Sequence, residues 1–191
     1  AVGDGVTDDT VAINAASTFA VDNNEILVCY GIAALKADWV ITDSLVFEAK
    51  GLTITRVSTQ PSINNNVNIK GVTWDAQGSQ TSLLVTGYNN WVLSDCHFNN
   101  AAKFGLEGGA GSPVEDFKLI RCSASNNGSS LTTEDSGIFL YGKRGLLFDC
   151  KANDNTGSGM VLRNNSSQPT VDVQFINCQA HRNTRHGFLT S

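Results

Sequence analysis

Arg185-His186 sets a guanidinium that can hold a carboxylate in bidentate fashion beside an imidazole that exchanges a proton near neutral pH. Carboxylates suited to bond cleavage lie elsewhere. Glu134 and Asp135 stand together in the segment Asn127–Ser136, and Glu107 lies about one repeat upstream. Two carboxyl groups brought from different turns of a repeating fold can reach the roughly 5 to 9.5 Å separation used to hydrolyse glycosidic bonds. Glu107 with Asp135 is the pair best placed to do so. Phe139, Tyr141 and Arg163 extend the set, with ring faces for stacking on sugars and a cation for acidic groups. Each of these residues also has a plainer reading. Glu134 and Asp135 are equally solvated loop acids, His186 a turn-edge residue, and Phe139 with Tyr141 a packing patch against another subunit. Glu115, Asp116 and Asp154 are weaker candidates.

The elements that must position these side chains come from an internal repeat. Cys96, Cys122, Cys150 and Cys178 are spaced by 26, 28 and 28 residues in matching segments such as Leu147-Phe-Asp-Cys-Lys-Ala152 and Phe175-Ile-Asn-Cys-Gln-Ala180. Gly105, Gly159 and Gly187 follow three of the cysteines by nine residues and open an apolar strand. Cys122 reaches Gly137 only after fifteen, so its turn carries a six-residue insertion. A fixed period of roughly 20 to 50 residues means stacked units that bury their apolar faces against one another. Within each unit the alternation has period two, which predicts an all-β parallel β-helix. The residues two before and two after each cysteine (Ser94 and Phe98, Ile120 and Ala124, Phe148 and Ala152, Ile176 and Ala180) are expected to share its inward side. On the second strand Ile138, Leu140, Met160, Leu162 and Phe188 are expected inward, which turns Glu107, Phe139, Tyr141, Val161, Arg163 and Leu189 outward. Asparagines crowd the turns between strands, where they tolerate left-handed backbone and can bond along a stack.

Composition narrows the function classes. The 191 residues are ample for one domain, and a net charge of −5 with few, scattered Lys and Arg argues against a nucleic-acid surface. No apolar run approaches a membrane span, and no cofactor motif is present. Calcium held by loop carboxylates stays open, although no spaced Asp/Asn cage appears. The cysteine ladder reads as buried free thiols, as does Cys29, which fits assembly in a reducing bacterial cytoplasm.

Residues 1–24 read as a terminal motif and helix, and residues 25–191 as the coils. Thr7 is the expected N-cap of a helix carrying Val11, Ala12, Ala15, Ala16 and Phe19, with Asp8 and Asp9 complementing its dipole. Such a helix would cap one end of the stack. The motif Gly3-Asp-Gly-Val-Thr-Asp-Asp-Thr-Val-Ala-Ile13 resembles the opening of the pectate-lyase-like right-handed β-helix superfamily. The resemblance implies a right-handed parallel β-helix with an N-terminal capping α-helix, drawn from a longer protein and cut at both ends. It implies a carbohydrate groove along the strands that begin at the repeat glycine. Among members, phage tailspike depolymerases are the most similar, implying a homotrimer on a virion tail or outside the cell that binds and cleaves bacterial surface or other acidic polysaccharide. The alternatives are a non-catalytic glycan-binding shaft and a uronate-active lyase or epimerase. Arg185-His-Gly-Phe188 is similar to a segment on the catalytic strand of alginate epimerases, implying carboxylate binding by Arg185 and proton transfer by His186. The other acidic motif of those enzymes is missing, since the corresponding strand reads Phe139-Leu-Tyr-Gly142.

Overall fold

The computed structural model of the chain describes residues 4–35, 39–41, 43–56, 61–86, 89–109, 112–129, 135–164 and 170–190. Its strands are parallel, and each pairs with the equivalent strand one repeat later. Leu93, Leu119, Leu147 and Phe175 form one such column, and Phe98, Ala124, Ala152 and Ala180 another. The coil therefore has three faces. The first comprises Asn68–Lys70, Val92–Ser94, Lys118–Ile120, Gly142–Phe148 and Val171–Ile176. The second comprises Thr73–Asp75, His97–Asn99, Ser123–Ser125, Lys151–Asn153 and Gln179–His181. Among the described residues the third is a seven-stranded sheet that includes Thr81–Val85, Phe104–Gly108, Ser136–Leu140, Ser158–Leu162 and Phe188–Thr190.

Left-handed residues make the corners. Asn66, Asn90 and Asp116 precede first-face strands, Arg144 and Asp172 hold the equivalent positions inside Gly142–Phe148 and Val171–Ile176, Asp95, Arg121, Asp149 and Asn177 divide the first face from the second, and Asn100, Asn126, Asp154 and Arg182 lead toward the third, all with φ between 50° and 60°. One such residue turns the chain sharply, a conformation that Asn and Asp tolerate and arginine rarely adopts. Each left-handed arginine forks onto the corner carboxylate one coil earlier. Arg121 holds Asp95 at 2.7 and 2.8 Å, Arg144 holds Asp116 and Glu115, and Arg182 holds Asp154. The corner also corrects the expected inward set. Because Asp95, Arg121, Asp149 and Asn177 break the alternation, the residue three before each cysteine points inward, as with the fully buried Leu93, Leu119 and Leu147. Phe148 and Ile176, expected inside, are 40% and 43% exposed on the first face.

The interior is a set of ladders. Phe98 and Cys96 are fully buried, and Trp91 stacks on Phe117 with centroids 5.0 Å apart. A Cβ on Gly145 would collide with the Phe117 ring, so glycine alone fits beneath that stack. The cysteines are free thiols, as expected, and the four of the ladder reach back one coil: Cys96 lies 3.8 Å from the Ile69 carbonyl, and Cys122, Cys150 and Cys178 lie 3.3–3.4 Å from the carbonyls of Leu93, Leu119 and Leu147. Burial pushes the Cys122 thiol well up, and its hydrogen bond to Cys150 raises that thiol to about 12, so both stay protonated and inert. Beside the corner that leads to the third face, Asn127, Asn155 and Asn183 form the expected asparagine stack. The side-chain amides of Asn127 and Asn155 each donate to the next asparagine oxygen and to a carbonyl one coil back. Helix α1 (Thr10–Asp22) packs on the strand Ile26–Leu35 and adds Ile13 and Ala20 to the core. Its N-cap is Asp9, two residues past the expected Thr7. The amide and hydroxyl of Thr7 are committed to Asp4, and Asp8 accepts from the amide and hydroxyl of Thr10.

Arginine bonding holds Asp95, Glu115, Asp116 and Asp154 below their ordinary values of 3.8 and 4.5. A depressed folded pKa gives stabilisation that is complete above the unfolded value and is lost as pH falls through the folded one. The melting temperature is therefore expected to drop on acidification below about pH 4, and to be insensitive to these groups between about pH 5 and 8. Arg144→Ala should lower the neutral-pH melting temperature by about 2 °C and blunt the acid-induced drop, both read by calorimetry.

Candidate functional site

The third face and its two ends hold the described sequence-derived site residues, and its register decides which of them share a height. Leu84, Glu107, Phe139, Val161 and Leu189 form one outward column. Glu107 is half-buried and accepts the Thr81 hydroxyl at 3.2 Å. Phe139 is not an open platform as expected. It is 5% exposed, packed 4.7 Å from the Phe104 ring and edge-on to Tyr141 at 5.6 Å, with Val161 buried alongside. Parallel strands set side chains at the same height on neighbouring rungs, so large apolar groups pack on one another before any ligand arrives. Lys103 lies over the Phe104 ring at 4.8 Å.

The register separates the expected carboxylate pair. Asp135 precedes Phe139 by four residues, and Phe139 is the partner of Glu107, so the two acids lie about 13 Å apart along the strands. Asp135 instead sits at the upstream end of the face, 3% exposed, with its carbonyl accepting the Ser158 amide at 2.9 Å. The next rung at that height is Gly157, where a Cβ would collide with the Asp135 carbonyl. The rung after it brings Arg185, whose amide bonds to the Gly157 carbonyl, and His186, whose carbonyl accepts the Gly159 amide. Asp135, Arg185 and His186 thus form an upstream group spanning two rungs, about 10 Å, with no side chain on the glycine between. Arg185 and His186 are exposed.

Tyr141 and Arg163 are both half-buried and immediately follow the paired residues Leu140 and Leu162, at the downstream end with Glu107. Arg163 is placed by its amide bond to Leu140 and by the Thr170 hydroxyl on its carbonyl. It lies five residues beyond Ser158, so about 16 Å of strand separates it from His186, and the two do not share one acid/base set. Glu134 lies outside the described residues. Of the residues that precede the repeat glycines, which the alternation places along the same groove, Phe104, Ser136 and Ser158 are buried and His186 is exposed. The Ser158 hydroxyl has no hydrogen-bond partner among the described residues. Among the described residues no cluster of His, Cys, Asp and Glu is arranged to hold a metal ion.

The repeat, the parallel pairing and the left-handed corners define a solenoid of stacked β coils. Residues 51–191 match the family model described as a right handed beta helix region, and the chain belongs to that family. Comparison with curated proteins gives no match. Among solved structures, the Dettilon tailspike protein gp208 superposes with a TM-score of 0.72 at 17% identity, over 100% of this chain and 44% of that one. The Agl-KA catalytic domain superposes with a TM-score of 0.51 at 11% identity, over 100% of this chain and 46% of that one. The chain thus spans less than half the length of either. At these identities the likeness is one of fold.

Because Phe139 is packed, Phe139→Ala should cost about 3 kcal/mol in denaturant unfolding. A variant as stable as the parent would return Phe139 to the role of an open sugar platform.

Proposed function

We propose that the chain is the carbohydrate-active β-helix of a tailspike-type polysaccharide depolymerase, working on bacterial surface or other acidic polysaccharide. The observation that carries this reading is the upstream group of Asp135, Arg185 and His186. Arg185 neutralises a uronate carboxylate, which acidifies the proton on the adjacent carbon. His186 removes that proton, and Asp135 donates one to the glycosidic oxygen as its bond to carbon breaks. Glu107, Tyr141 and Arg163 hold the polymer downstream. The 13 Å between Glu107 and Asp135 makes hydrolysis by that pair the weaker chemistry. A non-catalytic shaft is the second reading, and the packed Phe104–Phe139 cluster favours it by closing the middle of the face.

Elimination leaves a carbon–carbon double bond that absorbs in the ultraviolet, whereas hydrolysis yields reducing ends without it. On a panel of acidic polysaccharides the intact parent protein is expected to raise ultraviolet absorbance. His186→Ala should lower the rate by 10²-fold or more, and Glu107→Gln should mainly raise KM. Binding without either product would leave the shaft. We further assign the chain to a homotrimer on a virion tail, supported by the apolar column Ile120, Phe148 and Ile176 on the first face. Light scattering is expected to give three copies, and Phe148→Glu to give one; a monomeric parent removes the assignment.

A further inference from the structure

Across its strands from Thr73–Asp75 to Gln179–His181 the second face carries no large exposed hydrophobic residue, in contrast to the first. Its outward residues fall in two columns. One runs Thr73, His97, Ser123, Lys151 and Gln179, and the other Asp75, Asn99, Ser125, Asn153 and His181. A trough of about 450 Å³ crosses the middle of this face, walled on the corner side by Arg121 and Asp149. That volume falls in the range of small-ligand sites.

Ser123 is its centre. Its hydroxyl is bonded to His97 Nδ1 at 2.7 Å on one rung, Lys151 occupies the next rung, and Arg121 stands two residues before it at the corner. The two cations differ. Arg121 Nε and Nη2 are committed to Asp95, and the Asp149 opposite accepts the Asn177 amide at 2.8 Å. Lys151 pairs with no carboxylate among the described residues and is exposed. One uncommitted ammonium among hydroxyls and amides suits a ligand with one negative charge and many hydroxyls. It does not suit a polyphosphate, which demands several cations and meets a chain of net charge −5.

We propose that this trough is a second saccharide site, separate from the third face, that binds a carboxylate-bearing sugar. Lys151 takes the carboxylate, and Ser123, Ser125, Asn153 and Asp149 take the hydroxyls. The site rests on the reading that the chain handles acidic polysaccharide, and it gives the polymer a second hold on the coil while the third face works on another stretch. Two linked contacts raise the effective concentration of substrate at the reacting end.

Two-dimensional amide NMR of the chain titrated with glucuronate, and in parallel with glucose, tests it. Glucuronate is expected to shift the amides of residues 97–99, 121–125 and 149–153, with weaker shifts from glucose. Lys151→Gln should raise the glucuronate dissociation constant at least five-fold while leaving the spectrum otherwise intact. Shifts confined to Asp135, Arg185, His186 and their neighbours would overturn the second site while sparing the third-face reading. Equal shifts from glucose, or no change in Lys151→Gln, would also overturn it. No shift anywhere would count against both.

Discussion

The molecule depends on one repeated interaction: the parallel backbone ladder that ties each rung to the rung one coil away. A single pair of three-residue strands is too short to be stable alone. Here the strands inside the stack are held on both edges, and the inward side chains of equivalent positions stack into continuous columns of leucine, thiol and alanine. The columns fix the register, because slipping by one residue would turn every core side chain outward. The buried asparagine stack adds a polar check on the same register, since each amide finds its partner only when the coils align.

Keeping this ladder over successive coils requires the chain to bend at the same height each time, and the left-handed corners do that. Where the corner residue is arginine, a backbone conformation poorly suited to a long side chain is offset by a two-pronged bond to the carboxylate one coil back. The three corners thus use the same device with different partners: Arg121 with Asp95, Arg144 with Asp116 and Glu115, and Arg182 with Asp154. These links are exposed, so each contributes modestly, and their worth lies in repetition along the edge.

The ladder also governs which side chains can act together. Groups on neighbouring rungs are about 4.8 Å apart, whereas groups at opposite ends of a five-residue strand are separated by its full length. That arithmetic splits the third face into an upstream group of Asp135, Arg185 and His186 and a downstream group of Glu107, Tyr141 and Arg163. It also places His97, Ser123 and Lys151 in one line on the second face, although they are far apart in sequence.

The cysteine spacing, the repeat glycines and the period-two alternation were legible in the sequence, and they determined a parallel β-helix with free thiols inside and asparagine in the turns. Periodicity can do this because a core ladder leaves the same residue type at the same place in every coil. What it could not show was the phase shift at the corner. One left-handed residue moves the inward position from two to three before each cysteine and sends Phe148 and Ile176 to the surface. The grouping of the acids belongs to the tertiary structure as well. Glu107 and Asp135 looked like neighbours because they lie on adjacent coils, yet their heights along the strands differ by four residues, and only the hydrogen-bond register sets height. Phe139 was rightly placed on the outer side, but whether that side is open or packed depends on Phe104, Tyr141 and Val161. Those residues come from three rungs that only the folded coil brings together.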